Sequence, residues 1–510
     1  MSNFAANRSK IRLLGYAATI FLSSALLLVL EIVAGRLIAP YVGVSLYTWT
    51  SIIGVILAGL SLGNWAGGVW ADRGASEREA GLVLAGAGIY CLLSLALLPL
   101  VGDAAQSRGL SLLSASFLLA AVLFATPAAL IGVVTPLLTT LALRLDDRTG
   151  HVVGRMHALA AIGSILGTFL AGYWLIQTFG TRTVIFGAGT LLTALGLSYL
   201  RLGSKALAVA VLGGAVGTAG VVALKDGLAS SCERESAYFC IRVADHSAHA
   251  PFGEARGLVL DHLLHGINHA ELPELLIAPY IQALDELVRA HFGDGDARAL
   301  RWLFAGGGAY SLPRAVRAMN PKAEITVAEL DPAVTETARD RLFVSTEGMR
   351  ILHQDARLVL QQKDDSFDVI IGDVFHDLAI PYHLVTREFV ALVHQRLRPG
   401  GIYAMNLVDT FPDPKLLKAV IKTLRAEFKQ VDIWMEGPPE AERVTFVITA
   451  SDVDQLPDRV VAQHGIERAW HRVSDMVDRV GVPMSEIPML TDDYAPVESL
   501  IAGLLVGENR

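Results

Sequence analysis

Seven apolar runs dictate how the first 224 residues of this chain can fold; they lie at 13–40, 47–70, 80–101, 110–143, 155–179, 182–200 and 206–224. A helix needs about 20 apolar residues to cross the hydrocarbon core, and inside lipid every backbone polar group has to be bonded within the segment. The expected fold of this part is therefore an N-terminal all-α transmembrane bundle of about seven helices, multi-pass in the cell (inner) membrane and with the lipid bilayer as its partner. The first run far exceeds the ~7–15 residue core of a cleavable signal peptide, and it reads as a first span. The fourth holds Pro127 and Pro136, which predict a kink or a partly re-entrant piece.

Charge separates the two halves and orients the first. Residues 1–224 carry 13 Lys or Arg and 7 Asp or Glu, so 29 and 43 remain for the other 286 residues; a formal +6 and −14 sum to the −8 of the whole chain. With a cytoplasmic amino terminus, the inner segments hold Arg8, Lys10, Arg12, Arg73, Arg78, Arg144, Arg148, Arg155, Arg201 and Lys205, against Arg108 and Arg182 outside. That asymmetry is the positive-inside pattern. Parity stays open. Seven crossings put the second half outside, whereas six, with 206–224 lying along the membrane, keep it in the cytoplasm.

Within the spans, Glu31 and Arg36 read either as a pair in a polar cavity or as interfacial groups that snorkel. Gly163, Gly167 and Gly172 with Ala171 form a small-residue face for close helix packing. Of the three cysteines, Cys91 sits in an apolar run, and Cys232 and Cys240 flank a short segment that can be bridged only if the chain turns back. A bridge there favours an oxidising compartment; two free thiols fit the sequence equally.

The second half reads as a soluble α/β domain, 291–510, preceded by a small β-hairpin segment and linker helix at 236–290. Its centre is 301–342. An apolar run (300–305) ends in Gly306, Gly307 and Gly308, a helical pattern follows, and a second apolar run (325–328) ends in Glu329. Glycines allow a ligand close to the backbone, and an acid at the next strand tip can accept from ribose hydroxyls. The loop lacks GxGxxG, which favours a nucleoside over a dinucleotide ligand. Further strands end at Asp355 and Asp373, so a Rossmann-like, mainly parallel sheet is expected with three acids on its carboxyl rim. With Asp377, Tyr382 and His383 in the following loop, that rim suits a cationic amine and a carboxylate that takes its proton. Five histidines, His246, His249, His262, His265 and His269, cluster within the hairpin segment. Their spacing matches no metal motif, and lining a pocket or the surface is the expected role.

The motifs AGGG at 305–308, AELDPAV at 328–334, QDAR at 354–357, DVIIGDVFHD at 368–377, IPYHLVTREF at 380–389 and LTDDYAPVE at 490–498 resemble those of the membrane-fused members of the spermidine synthase family. The resemblance extends to LEIVAGRLIAPYVG at 30–43 and SLYTWTSIIGVILAGLSLG at 45–63. It implies a polyamine aminopropyltransferase on a Rossmann-like methyltransferase-type fold. Decarboxylated S-adenosylmethionine would be the co-substrate, with no tightly bound cofactor, and putrescine or a related polyamine the acceptor. By the same resemblance Gly306, Gly307 and Gly308 shape the donor loop, Glu329 holds the ribose, and Asp355 with Ala356 meets the adenine. Asp373 is then the catalytic acid residue with Asp377 its companion, and Tyr280, His265, Tyr382 and His383 face the amine. Two departures touch acceptor specificity: Ala309 stands where soluble relatives have Asp after the glycines, and a Tyr-His-Glu segment is reduced to Tyr280 in PYIQ. No metal and no nucleic acid are expected, and a homo-oligomer is left open. Rival readings are an S-adenosylmethionine-dependent methyltransferase, and an amine transporter or sensor with a nucleoside-binding domain.

Overall fold

The computed structural model describes residues 2–74, 76–201, 205–230, 232–293, 299–362, 366–375, 379–438, 442–454 and 456–506. They fall into two compact units, Met1–Cys240 and Ile241–Gly507.

Among the described residues of the first unit, seven helices are long and apolar enough to cross a membrane: Ser9–Val42, Leu46–Asp72, Glu77–Ala105, Leu112–Leu143, Thr149–Phe179, Thr181–Leu200 and Lys205–Leu224. Each corresponds to one apolar run of the sequence. The fourth, Leu112–Leu143, is one continuous helix through Pro127 and Pro136. It absorbs Pro127 through a π-helical turn, Ala121–Ala125, and runs on as a single helix, because a π turn lets the ladder reset next to a residue that cannot donate. A similar turn, Ala171–Leu175, interrupts the fifth span.

Small residues set how closely the spans approach. A Cβ added at Gly163 or Gly167 would fall 2.2 Å from the carbonyl oxygen of Phe21 or Ala25, so the first and fifth spans touch backbone to backbone there. Gly172 faces open space and takes no part in that seam. Arg36 is committed to the carbonyls of Ser236 and Tyr238. Cys232 and Cys240 are joined by a disulfide, their Cα atoms 5.2 Å apart; a tight turn, in which Ser236 N–H donates to Phe239 O, brings the chain back. Strand β1 (Arg234–Glu235) lies within that loop.

The second unit opens with an antiparallel meander of β2 (Cys240–Asp245), β3 (Ala255–Leu260) and β4 (Leu263–His269). The main sheet contains β5 (Arg301–Ala305), β6 (Glu324–Ala328), β7 (Met349–Leu352), β8 (Phe367–Gly372), β9 (Leu397–Thr410), β10 (Gln430–Met435), β11 (Arg443–Ser451), β12 (Arg459–Val461) and β13 (Ala469–Arg472). Their order is β12-β13-β10-β11-β9-β8-β5-β6-β7. Only β5 to β9 run parallel; β11, β10, β13 and β12 continue antiparallel, so the expectation of a mainly parallel sheet holds for the half that carries the site. The chain goes from β5 outward through β6 and β7, then returns to β8 on the other side of β5. That reversal opens a crevice at the carboxyl ends of β5 and β8, where ligands bind in open α/β sheets.

Candidate active site

The glycine loop is shaped by what passes against it. Asp373 N–H donates to Ala305 O at 2.9 Å, which draws the backbone leaving β8 onto Gly306. A Cβ at Gly306 would lie 2.2 Å from the Asp373 carbonyl oxygen, and Gly306 also has φ +92°, so glycine is required on both counts. At the tip of β6, the Glu329 side chain is buried. Its Oε2 accepts from Gly307 N–H and its Oε1 from Asp331 N–H, both at 2.9 Å. Burial raises its pKa above the usual carboxylate range, while these backbone donors pull the other way. A carboxylate offers about four lone-pair positions, so acceptor capacity remains for a ribose hydroxyl.

The meander braces the same loop. Asn268 in β4 donates from Nδ2 to Ala309 O (2.8 Å) and to Leu342 O (3.1 Å), and its Oδ1 accepts from the Ser311 hydroxyl at 2.7 Å. Gly266, at φ +140°, leaves room for Ala309, whose Cβ would be 2.8 Å from a side chain at that position. Next to it, the His265 carbonyl lies 3.3 Å from where a Cβ on Gly308 would stand, so the backbone of His265 borders the glycine loop. Desolvation pushes the His265 imidazole down to about 4, which keeps it neutral near pH 7. His269 has a structural task instead: Nε2 bonds Phe252 O (2.6 Å) while Nδ1 accepts from the N–H groups of Glu271 and Leu272. Among the described residues no group of three or more His, Cys, Asp or Glu side chains is arranged to hold a metal ion.

Asp373 follows β8 directly. Its carboxylate is hydrogen-bonded by the Tyr280 hydroxyl and by the Asn406 side chain. Tyr280 stands in the first turn of the helix Pro279–Phe292, and Asn406 in the interior of β9. Desolvation pushes the Asp373 carboxyl up to about 7, against the lowering effect of the two hydrogen bonds. Burial beside that carboxylate pushes the Tyr280 phenol well up, so Tyr280 is a proton donor to the pair. Asn406 Oδ1 is buried with no partner among the described residues, consistent with an amide whose N–H₂ is turned to the carboxylate. An acid with a pKa near neutrality, held by two donors at the crevice, can both bind an ammonium group and accept its proton.

A second set sits one strand over, after β7. Asp355 caps the helix Ala356–Gln361 through Arg357 N–H (2.8 Å), and its Oδ2 meets His383 Nε2 at 2.8 Å. The His383 hydrogen bond holds its pKa below the usual range. Ala356 is buried at the start of that helix. Tyr382 is exposed, its ring edge-on to His383. Arg357 ties this set to the C-terminal segment, donating to Asp492 Oδ1 at 2.7 Å, where the Thr386 hydroxyl also donates at 2.7 Å. Asp377 lies outside the described residues. The structure thus brings Gly306, Glu329, Asp373 and Tyr280 around one crevice and pairs Asp355 with His383 beside it. Asn268 and Asn406 were missed; their signal was a lone amide inside an otherwise apolar strand, GINH and AMNLV.

This arrangement is a Rossmann-like sheet, parallel in the half that carries the site, preceded by a small antiparallel one. More particularly, residues 290–454 match the spermine/spermidine synthase domain family, and the C-terminal region of the chain carries that domain. The chain is 26% identical over 215 residues to a probable polyamine aminopropyl transferase of Bifidobacterium longum, covering 39% of this chain and 48% of that protein. It is 30% identical over 212 residues to polyamine aminopropyltransferase 2 of Pseudomonas aeruginosa, covering 39% and 56%. The chain spans about half the length of the curated relatives it matches. Among solved structures, a probable spermidine synthase from Corynebacterium glutamicum is similar at 22% identity and a TM-score of 0.45, covering 53% of this chain and 99% of that one.

Proposed function

We propose that this protein is a membrane-bound polyamine aminopropyltransferase that moves an aminopropyl group from decarboxylated S-adenosylmethionine to putrescine or a related amine. The observation that carries the reading is the Asp373 carboxyl, raised to about 7 and held by Tyr280 and Asn406 where the donor loop meets the tip of β8. In this reading Glu329 accepts from the ribose, and the glycines admit the nucleoside close to the backbone. The amine nitrogen attacks the aminopropyl carbon bound to sulfur. The carbon–sulfur bond breaks with its electrons going to sulfur, and neutral methylthioadenosine leaves. Asp373 takes the proton that the nitrogen sheds, a transfer for which a pKa near the working pH is suited. The second acid, Asp377, would hold the cation further along the loop.

Asp373→Asn keeps the shape and removes the base. Turnover should fall on the order of 10² to 10⁴, with donor affinity nearly unchanged, whereas Asp377→Asn should mainly raise KM for the amine. Near-normal turnover of Asp373→Asn with an identified donor and amine would overturn the mechanism.

A further inference from the structure

Whether the chain emerges from the membrane on the cytoplasmic side depends on whether the helix Lys205–Leu224 crosses, and contacts within the first unit bear on this directly. Two ends of the helical bundle can be told apart. At one, Tyr16 donates to Glu77 Oε1 (2.5 Å), Arg12 lies 3.7 Å from the same carboxylate, and the hydroxyls of Thr19 and Tyr199 are 2.8 Å apart. The start of the first span, the start of the third and the end of the sixth therefore meet there. At the opposite end, a Cβ on Gly102 would fall 2.2 Å from the Tyr41 ring, so the ends of the first and third spans meet.

The residues that follow the seventh helix sit at this second end. Glu235 Oε2 accepts from the N–H of Thr181, the first residue of the sixth span, at 2.8 Å. Arg182 donates to Gly227 O at 3.0 Å, and Arg36, near the end of the first span, holds the carbonyls of Ser236 and Tyr238. The sixth span ends at the first end of the bundle, and its 20-residue successor finishes at the second. At 1.5 Å per residue, 20 residues cover about 30 Å, the thickness of the hydrocarbon core. The number of crossings is odd.

The first end is the basic one, with Lys10, Arg12, Arg73, Arg78, Arg144, Arg148, Arg155 and Lys205, while the loops between spans at the second hold Arg108 and Arg182. Exposed aromatics mark both interfaces, Trp65 and Trp70 towards the basic end of the second span and Tyr173, Trp174 and Phe179 at the far end of the fifth. The disulfide Cys232–Cys240 supplies an independent observation, because it closes the exit segment itself and such bonds persist in oxidising compartments.

From these we infer that the chain leaves the membrane on the non-cytoplasmic face, so that the second unit meets its amine outside the cytoplasm. The nature of the amine rests on the function proposed above; the side of the membrane does not. A cytosolic adenosyl donor would then have to be carried across the bilayer before transfer can occur.

The test uses the full chain. C-terminal fusions to alkaline phosphatase, which matures only outside the cytoplasm, and to green fluorescent protein, which fluoresces only inside it, should give active phosphatase and dark cells. In a Cys91→Ala background, spheroplasts treated with a membrane-impermeant reductant and then a maleimide-linked polymer should show both Cys232 and Cys240 mass-tagged without lysis, and only after reduction. Bright fluorescence with inactive phosphatase, or tagging that requires lysis, would overturn the inference. Neither readout involves turnover, so a wrong side of the membrane would leave the aminopropyl reading standing, and absent aminopropyl transfer would leave the topology standing.

Discussion

Tyr280→Phe removes a single hydroxyl, and with it one of the two hydrogen bonds that hold down the pKa of Asp373. A hydrogen bond to a charged group is worth about 1.5 to 3 kcal/mol, and 1.36 kcal/mol corresponds to one pKa unit, so the carboxyl should rise by about one to two units. Starting from about 7, it would titrate near 8 to 9 in the variant. The base must be ionised to accept a proton, so activity is lost as pH falls through this value, and the shift moves that loss to higher pH. At pH 7 the ionised fraction drops from about one half to between about a tenth and a hundredth, and turnover should drop about five- to fiftyfold, recovering at alkaline pH. The assay is a pH profile of kcat/KM for the donor at saturating amine, wild type against variant. The amine's own ionisation is common to both, so the displacement of the acidic limb is the readout. A rate loss that is the same at every pH, with the limb unmoved, would refute the claim that Tyr280 tunes Asp373.

Glu329→Gln should weaken methylthioadenosine binding by roughly 1.5 to 3 kcal/mol, the range for a lost hydrogen bond to a charged group, and unchanged affinity by calorimetry would remove Glu329 from the nucleoside site. Asn268→Ala frees Ala309 O and the Ser311 hydroxyl, so the donor loop loses its brace; nucleoside affinity should fall about three- to thirtyfold while the pH limb of Asp373 stays where it was. If both stay put, the meander does not position the loop.

The broad architecture was legible because two strong patterns carry it. Runs of apolar residues long enough to cross a bilayer leave little choice but helix, and alternating strands and helices with Gly306 and Glu329 at consecutive strand tips leave little choice but a Rossmann-like crevice. Asp373 could be picked out for the same reason, as an acid directly after a buried apolar run. What surrounds it could not. Asn406 reaches Asp373 from a strand far along the chain, and no local spacing encodes that meeting; the family resemblance points to Tyr280 as a residue facing the amine, but not as a partner of Asp373. Asn268 is similar, since its purpose appears only when β4 lies against the glycine loop. Arg36 was read with Glu31 because the two are neighbours in sequence, yet its partners are the carbonyls of residues 236 and 238, about two hundred positions later. The antiparallel half of the sheet was under-read because β12 and β13 are only three and four residues long and carry weak alternation.

The central claim is that the group transferred is aminopropyl. Purified full-length protein, incubated with putrescine and either decarboxylated or intact S-adenosylmethionine, releases a nucleoside that mass spectrometry identifies. The account predicts methylthioadenosine together with an amine heavier by one aminopropyl unit, formed with the decarboxylated donor and dependent on Asp373. S-adenosylhomocysteine formed from the intact donor, with a methylated amine and no methylthioadenosine from either, would contradict it.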